Sequence, residues 1–255
     1  MVVWSAVMSM AFMLSNVSFA ASPTADQIRD KVLEWIATEN KRDVKYTFRR
    51  VAHVEKLDGD GKVEEKENRV YKSVLIDGRN YERLVMKNGA PLSGDDLEKE
   101  QEKEKEFRAR PEGKRGEGEI VLDRELAGRY KFRLKESEKV GGRNSYVLSF
   151  APDRSKKLPN KKKEDAVLNA LAGKIWVDEQ EYAIARIDAR LTRTVRIGLG
   201  LIAFIKKARL RFETRKTVEG EWLPHSMKSF FWGRTFLFKP IRHRETSRFV
   251  DFRAE

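Results

Sequence analysis

The sequence predicts a mainly β protein whose antiparallel sheet is buried on one face and solvated on the other. Along 185–191, Ala, Ile, Ala and Leu alternate with Arg, Asp and Arg, and along 208–215 Ala, Leu, Phe and Thr alternate with Arg, Arg, Glu and Arg. Short turns containing glycine and acidic residues separate such segments, at 58–61, 77–78 and 218–221. A period of two places the apolar side chains on one face of a strand, so these segments predict a sheet that is covered on one side only.

The first strands are predicted to form a meander. Apolar and polar residues alternate along 44–49, and the strand that begins there ends at the turn 58–61. The return strand ends at the Asp-Gly pair 77–78 and a third strand at the Asn-Gly pair 88–89. Such pairs favour the positive φ angles of tight hairpins. Consecutive hairpins need no helical crossover, so the sheet is expected to be antiparallel.

An amphipathic helix precedes the sheet. Thr24 and Gln27 match a capping box, and apolar residues then recur at helical spacing. These apolar residues are Ala25, Ile28, Val32, Trp35 and Ile36. The helix is expected from about Thr24 to Glu39, packed on the open face of the sheet. A helix lying on a membrane surface would need a more basic polar face.

Charged residues dominate a second helical segment, 95–110, in which Leu97 and Phe107 are almost the only apolar side chains. Lys and Glu follow each other at i,i+3 spacing, which favours a helix with little to bury. Residues 93–118 therefore form a charged insertion in the sheet domain. It is either a solvated insertion or an arm that docks a partner protein.

Residues 1–20 predict a signal peptide. They are uncharged and apolar, and they end in Ser18-Phe19-Ala20, a small-x-small cleavage pattern. An uncleaved membrane anchor is the alternative. Cleavage leaves 21–255 as one domain. The chain has no cysteine, so it has neither a disulfide nor the lipid-attachment Cys of a lipoprotein, and we expect a periplasmic protein that is soluble after cleavage.

The net charge of +13, from 53 Lys and Arg against 40 Asp and Glu, raises nucleic acid as a partner. Export argues against nucleic acid, and an anionic membrane surface or an acidic protein is the expected counterpart. The segment 154–163 is basic, contains Pro159 and has no acidic residue. It is either a solvated loop or a contact for anionic headgroups. The headgroup contacts would be Lys156, Lys157, Lys161, Lys162 and Lys163.

An apolar run, 197–205, lies between two alternating segments. It matches G-x-G-x-x-A at Gly198, Gly200 and Ala203, the pattern of a dinucleotide-binding turn. That turn requires a βαβ unit, and both flanks here are amphipathic strands, so no dinucleotide and no other cofactor is expected. A run of this apolarity either packs into a cavity or touches lipid.

The sequence carries no recognisable catalytic or metal-binding motif. His53, His225 and His243 are not spaced as metal ligands. Neither G-x-S-x-G nor H-E-x-x-H occurs. We therefore expect a binding protein rather than an enzyme, while distant residues can still converge in a fold.

Three phrases resemble the outer-membrane lipoprotein-sorting family, the LolA/LolB-like proteins. They are GRNSYVLSFAP at 142–152, GKIWVD at 173–178 followed by Ala-Arg-Ile at 185–187, and VEGEWLP at 218–224. The likeness covers roughly Thr24 to Phe252. It implies an incomplete β-barrel, a curved antiparallel sheet with helices covering its concave face. In the carriers of this family the concave face holds the acyl chains of a lipoprotein, and the lack of Cys places this chain nearer those soluble carriers than the lipid-anchored receptor.

The resemblance implies a periplasmic carrier that shelters the acyl chains of a lipid or an acylated lipoprotein. The expected lining of the acyl cavity is Tyr46, Phe48, Ile187, Leu210, Phe212 and Phe238, and the expected cavity mouth is Arg49, Leu201, Ile202 and Phe204. An ordinary place in the core is the alternative for each. Two other functions stay open: an envelope sensor or scaffold that binds a protein partner on the same fold, and an envelope hydrolase.

Overall fold

A computed structural model describes residues 22–39, 41, 44–111, 122–159, 163–198, 203–235 and 239–255. The helices are α1 (Ala25–Glu39), α2 (Gly94–Ala109), α3 (Arg124–Ala127) and α4 (Lys163–Leu168). The strands are β1 (Tyr46–Leu57), β2 (Val63–Ile76), β3 (Arg79–Lys87), β4 (Ala90–Pro91), β5 (Tyr130–Val140), β6 (Arg143–Pro152), β7 (Leu171–Asp178), β8 (Ile184–Leu191), β9 (Val195–Ile197), β10 (Ala203–Lys216), β11 (Trp222–Thr235) and β12 (Lys239–Ala254).

All these strands belong to one antiparallel sheet. Their order is β4-β3-β2-β1-β12-β11-β10-β8-β7-β6-β5, and β9 pairs with β10. The first and last long strands are therefore neighbours. Because β4 and β5 are the two ends of the order, the sheet is not closed. The predicted fold class, a mainly β protein with an incomplete antiparallel barrel, is confirmed.

The hairpin turns between β2, β3 and β4 have the backbone that their sequences predicted. Asp77 and Gly78 have φ angles of +50° and +70°, and Asn88 and Gly89 have φ angles of +51° and +83°. Two successive residues with positive φ give a turn whose twist matches that of the flanking strands. Asp, Asn and Gly adopt this backbone at the least cost.

Helix α1 packs on one face of the sheet, called the helix face below. Its capping box is present: the Thr24 backbone N–H donates to Gln27 Oε1 at 2.8 Å and the Gln27 N–H donates to Thr24 Oγ1 at 3.2 Å. The predicted helix is thereby confirmed. Ile28 and Val32 of α1 are buried against side chains of β5 to β8. Those partners include Tyr130, Leu148, Phe150, Ile175, Val177 and Ala189.

The sheet curves toward the helix face. Phe212 of β10 and Phe249 of β12 are two strands apart, about 9.5 Å in a flat sheet, yet their ring centroids are 6.0 Å apart. Rings drawn together in this way lie on a concave surface. Arg50 of β1 shares this face and reaches across β2 to Glu82 of β3, with an Nε to Oε2 distance of 2.5 Å. The concave face thus carries α1, as the resemblance implied.

Helix α2, the described part of the charged insertion, lies on the opposite side of the sheet, called the outer face below. Glu82 points to the helix face, so its neighbours Tyr81 and Arg83 point outward, and both contact α2. Polar contacts hold the helix there: Tyr81 Oη donates to Glu100 at 2.7 Å, Arg83 Nε to Glu104 at 2.8 Å and Lys87 Nζ to Asp96 at 2.9 Å. Burial and Glu100 raise the pKa of Tyr81.

This position of α2 corrects the expectation of a solvated insertion. The described helix of the insertion docks on β3 through most of its length, while α1 covers the concave face as expected. The physical reason is that hydrogen bonds and the Tyr81–Phe107 ring contact, with centroids 5.0 Å apart, replace the apolar stripe that a docked helix usually needs. The helical periodicity of apolar residues therefore gave no sign that this helix is docked.

Candidate functional site

A strip of apolar side chains on the helix face is partly open to solvent. Ile187 of β8 lies directly opposite Phe212 of β10, which lies opposite Met227 of β11. Leu210 shares their face because it precedes Phe212 by two residues in the same strand. Ile187, Leu210, Phe212 and Met227 are called the apolar strip below. Leu210 is 40% exposed and the other three are partly exposed, so an apolar ligand can cover them.

Aromatic rings extend the apolar strip toward β1. Phe212 contacts Phe249 edge-on, and Phe249 contacts Phe48 with ring centroids 5.4 Å apart. Phe48 in turn lies 5.7 Å from Phe252. Edge-to-face and tilted arrangements are the favourable ones for aromatic pairs. The rings thus form a continuous apolar surface from β10 across to β1.

The space beneath α1 is filled. The cavity between α1 and the sheet has a volume of about 10 Å³, which is the room that one water molecule needs. Its walls include Val32, Leu33, Phe132, Leu148 and Val177. An acyl chain does not fit there. Among the described residues, a ligand of the helix face is therefore confined to the part that α1 leaves open, which contains the apolar strip.

On the far side of the aromatic rings the helix face becomes ionic. Arg50 donates to Glu82 at 2.5 Å, to Glu245 at 2.6 Å and to Ser247 at 3.2 Å, and its guanidinium lies 3.9 Å from the centroid of the Tyr71 ring. The Arg50 side chain is 12% exposed and that of Glu245 is 16% exposed. Arg50, Glu82, Glu245 and Ser247 are called the ionic cluster below. It marks the polar end of the open face.

A cavity of about 450 Å³ adjoins the ionic cluster. Its lining combines the charged Lys56, Arg69 and Glu245 with apolar residues such as Val54 and Leu57. Burial raises the pKa of neighbouring Glu67, but hydrogen bonds from Arg69 and Lys56 outweigh burial and hold that pKa below its usual value. Burial lowers the pKa of His243, so His243 is neutral at pH 7. The charged part of the lining suits a polar group, since hydrocarbon placed there would desolvate its fixed charges.

The structure brings four of the predicted lining residues to one surface. Ile187, Leu210 and Phe212 belong to the apolar strip, and Phe48 joins it through Phe249. Tyr46 opens β1 and is partly exposed, and Phe238 lies outside the described residues. Sequence reasoning missed Met227, Phe249 and Arg50. If the register of β11 and β12 had been known, the alternation along these strands would have placed Met227 and Phe249 on the helix face.

The predicted cavity mouth is not assembled on the helix face. Arg49 follows Phe48 in β1 and points to the outer face, where it pairs with exposed Asp251 at 2.8 Å. Phe204 also lies on the outer face, with the guanidinium of Arg196 5.3 Å and that of Arg234 5.0 Å from its ring centroid. Successive side chains of a strand point to opposite faces. Arg49 and Phe204 therefore point outward because the residues next to them in their strands point to the helix face. Leu201 and Ile202 lie outside the described residues.

The Lys-rich loop is described only in part. Lys156 Nζ lies 3.7 Å from Asp153 Oδ2, and Lys157 is exposed. Lys163 is the first residue of α4, and Lys161 and Lys162 lie outside the described residues. Both described side chains are exposed, as in a solvated loop, and their contact with headgroups stays a prediction.

The histidines do not form a site with one another. His53 points to the outer face and its Nδ1 lies 2.8 Å from Asn68 Oδ1, whereas His243 points to the helix face and stacks on Phe231. In the part of the chain that the structure describes, no three His, Asp or Glu side chains converge so as to hold a metal ion. Nor is any described helix both long enough and apolar enough to cross a bilayer.

Comparison with known proteins finds similar solved structures. No protein-family model matches the sequence, and no curated protein matches it. A LolA superfamily protein from Nitrosomonas europaea is 15% identical, with 91% of this chain and 94% of that chain covered and a TM-score of 0.34. A domain from Vibrio parahaemolyticus named for outer membrane lipoprotein sorting is 13% identical, with 89% and 93% covered and a TM-score of 0.40.

A third similar structure is the MucA/MucB complex of Pseudomonas aeruginosa. Its matching chain is 11% identical, with 89% of this chain and 99% of that chain covered and a TM-score of 0.24. Solved proteins of the LolA type are thus among those that this chain resembles, as the three sequence phrases indicated.

Proposed function

We propose that this protein is a carrier that binds the acyl chain of a lipid or lipoprotein on the apolar strip. The observation that carries the proposal is the 40% exposure of Leu210 on the concave face, where it lies beside Phe212 and opposite Ala189. Each methylene removed from water contributes about 0.8 kcal/mol, so an acyl chain laid along the strip gains free energy while Leu210 and its neighbours are covered.

The two ends of the open face differ in chemistry, and this difference suits an amphiphile. The acyl chain would lie on the apolar strip and the aromatic rings, while its polar head would lie toward the ionic cluster and the charged cavity beside it. On this proposal residues 1–20 are a signal peptide, 21–255 form one domain with the insertion 93–118, and the carrier works in the periplasm.

Leu210→Glu is expected to weaken the binding of a fluorescent fatty acid by about 100-fold, because a carboxylate would be buried without a partner under the ligand. The matched control is Val51→Glu. Val51 is 41% exposed, so the two substitutions start from the same exposure, but Val51 points to the outer face. Equal binding by both variants, measured by fluorescence titration, would contradict the proposed site.

Docking of a partner protein is a second candidate function, favoured by the exposed side of α2. Glu98, Glu102 and Glu106 are exposed at i,i+4 spacing, while Glu100 and Glu104 hold the helix on the sheet. Reversing the three exposed charges to Lys is expected to abolish capture of an envelope partner in a cross-linking assay and to leave fatty-acid binding within about twofold. Unchanged capture would exclude α2 as the docking surface.

A further inference from the structure

The outer face of the sheet carries a field of positive charge that acyl binding does not use. Antiparallel pairing places Arg209 opposite Arg190 and Phe230, and Phe230 opposite Arg244. Arg211 lies opposite Lys228 and Lys207 opposite Trp232 by the same register. The basic side chains Arg190, Lys207, Arg209, Arg211, Lys228 and Arg244 therefore share one face of β8, β10, β11 and β12. They are called the basic face below.

Few carboxylates pair with these basic side chains. Asp188 accepts hydrogen bonds from both Arg209 and Arg211, at 2.7 Å and 2.6 Å. Burial opposes ionisation of Asp188, but the two arginines hold its pKa below the usual value, so it stays charged. Glu55 pairs with Arg244 at 3.0 Å. Within the described residues, Arg190, Lys207 and Lys228 are exposed and have no ion-pair partner, so the basic face keeps a net positive charge.

Aromatic side chains and open grooves lie among these charges. Phe230 and Trp232 have ring centroids 6.3 Å apart, and Arg242 lies 5.3 Å over the Trp232 ring. A groove of about 410 Å³ is lined by Arg209, Arg211, Lys228 and Phe230, among others. Grooves of this size between guanidinium groups admit phosphate-sized anions, and Arg presents paired donors to such groups.

We propose that the basic face docks the protein on an anionic lipid bilayer. Like charges spread over four neighbouring strands match a surface of many phosphate headgroups better than one ligand. Trp and Phe beside basic residues are the combination found where proteins meet the interfacial region of a bilayer.

The docking surface is separate from the acyl site, because the basic face and the apolar strip lie on opposite sides of the same strands. A carrier that docks through its outer face keeps the helix face free while it is on the membrane. Each basic residue near an anionic membrane contributes about 1 kcal/mol, so removing three of them is expected to weaken docking by about 100-fold.

The test is sedimentation of the full chain with vesicles of phosphatidylcholine alone or mixed with phosphatidylglycerol. The wild type is expected to bind only the mixed vesicles, and less as salt is added, because salt screens exposed charges. Arg190→Gln/Lys207→Gln/Lys228→Gln is expected to lose about 100-fold in affinity. Lys99→Gln/Lys103→Gln/Lys105→Gln removes the same charge from α2, where Lys alternates with Glu, and should bind within about twofold of wild type.

Three results would overturn the docking proposal. The first is wild-type binding that does not depend on phosphatidylglycerol or on salt. The second is an equal loss of affinity in the two triple variants. The third is a DNA duplex that binds the basic face more tightly than the mixed vesicles do. Circular dichroism checks that both variants are folded. The test also separates docking from acyl binding: Leu210→Glu should bind vesicles normally, and the Arg190/Lys207/Lys228 variant should bind fatty acid normally.

Discussion

Replacing Arg50 with alanine is expected to lower the free energy of unfolding by about 3 kcal/mol. The Arg50 side chain is 12% exposed and bridges Glu82 and Glu245. Its removal leaves the Glu245 carboxylate, which is only 16% exposed, without its cation. It also removes the contact with the Tyr71 ring. For a domain of this size the loss corresponds to a fall in Tm of roughly 6–12 °C, which thermal unfolding measures.

Arg49→Ala is the matched control for Arg50→Ala. Arg49 is the preceding residue of the same strand, and its pair with Asp251 joins side chains that are 52% and 54% exposed. Exposed ion pairs contribute about 0–1 kcal/mol, so Arg49→Ala should change the Tm by no more than about 4 °C. Equal effects of the two substitutions would show that the ionic cluster does not stabilise the sheet.

Gly173→Ala is expected to destabilise the fold by about 3 kcal/mol or more. A Cβ atom at Gly173 of β7 would lie 2.0 Å from the backbone oxygen of Asp188 and 2.9 Å from the Cα of Ala189, both in β8. Neither atom can move without separating the two strands. Gly59→Ala serves as the control, because the nearest atom to its Cβ is a side-chain nitrogen of Arg242 at 3.9 Å.

Urea unfolding of both glycine variants measures the difference. Gly59→Ala is expected to lie within about 0.5 kcal/mol of wild type. A Gly173→Ala protein as stable as wild type would mean that β7 and β8 do not approach as closely as described. Helix α4 ends at Leu168, and Gly173 lies inside β7, where contact with β8 decides its conformation.

Local patterns were sufficient to predict much of the fold. The capping box at Thr24 and the Asp-Gly and Asn-Gly turns depend on neighbours within a few residues, and the structure contains each of them. The alternation along β8 and β10 likewise placed Ile187, Leu210 and Phe212 on one face before any register was known. Elements of this kind could be predicted because their causes lie within the segment itself.

Features that depend on distant partners could not be predicted. The alternation along β1 places Arg50 on the same face as Phe48, but its partners Glu82 and Glu245 are separated from it by 32 and 195 residues. The inward arginine is therefore Arg50 and not the predicted Arg49. Helix α2 gives a second case. Nothing in the sequence 95–110 indicates that Tyr81 and Arg83 of β3 will donate hydrogen bonds to its carboxylates.

Native mass spectrometry of the protein isolated from an envelope extract tests the central claim, that the apolar strip holds an acyl chain. Wild type and Val51→Glu are expected to carry the added mass of an acylated molecule, and Leu210→Glu is expected to carry none. Added mass that persists in Leu210→Glu, or wild type without any bound acylated molecule, would contradict the proposed carrier.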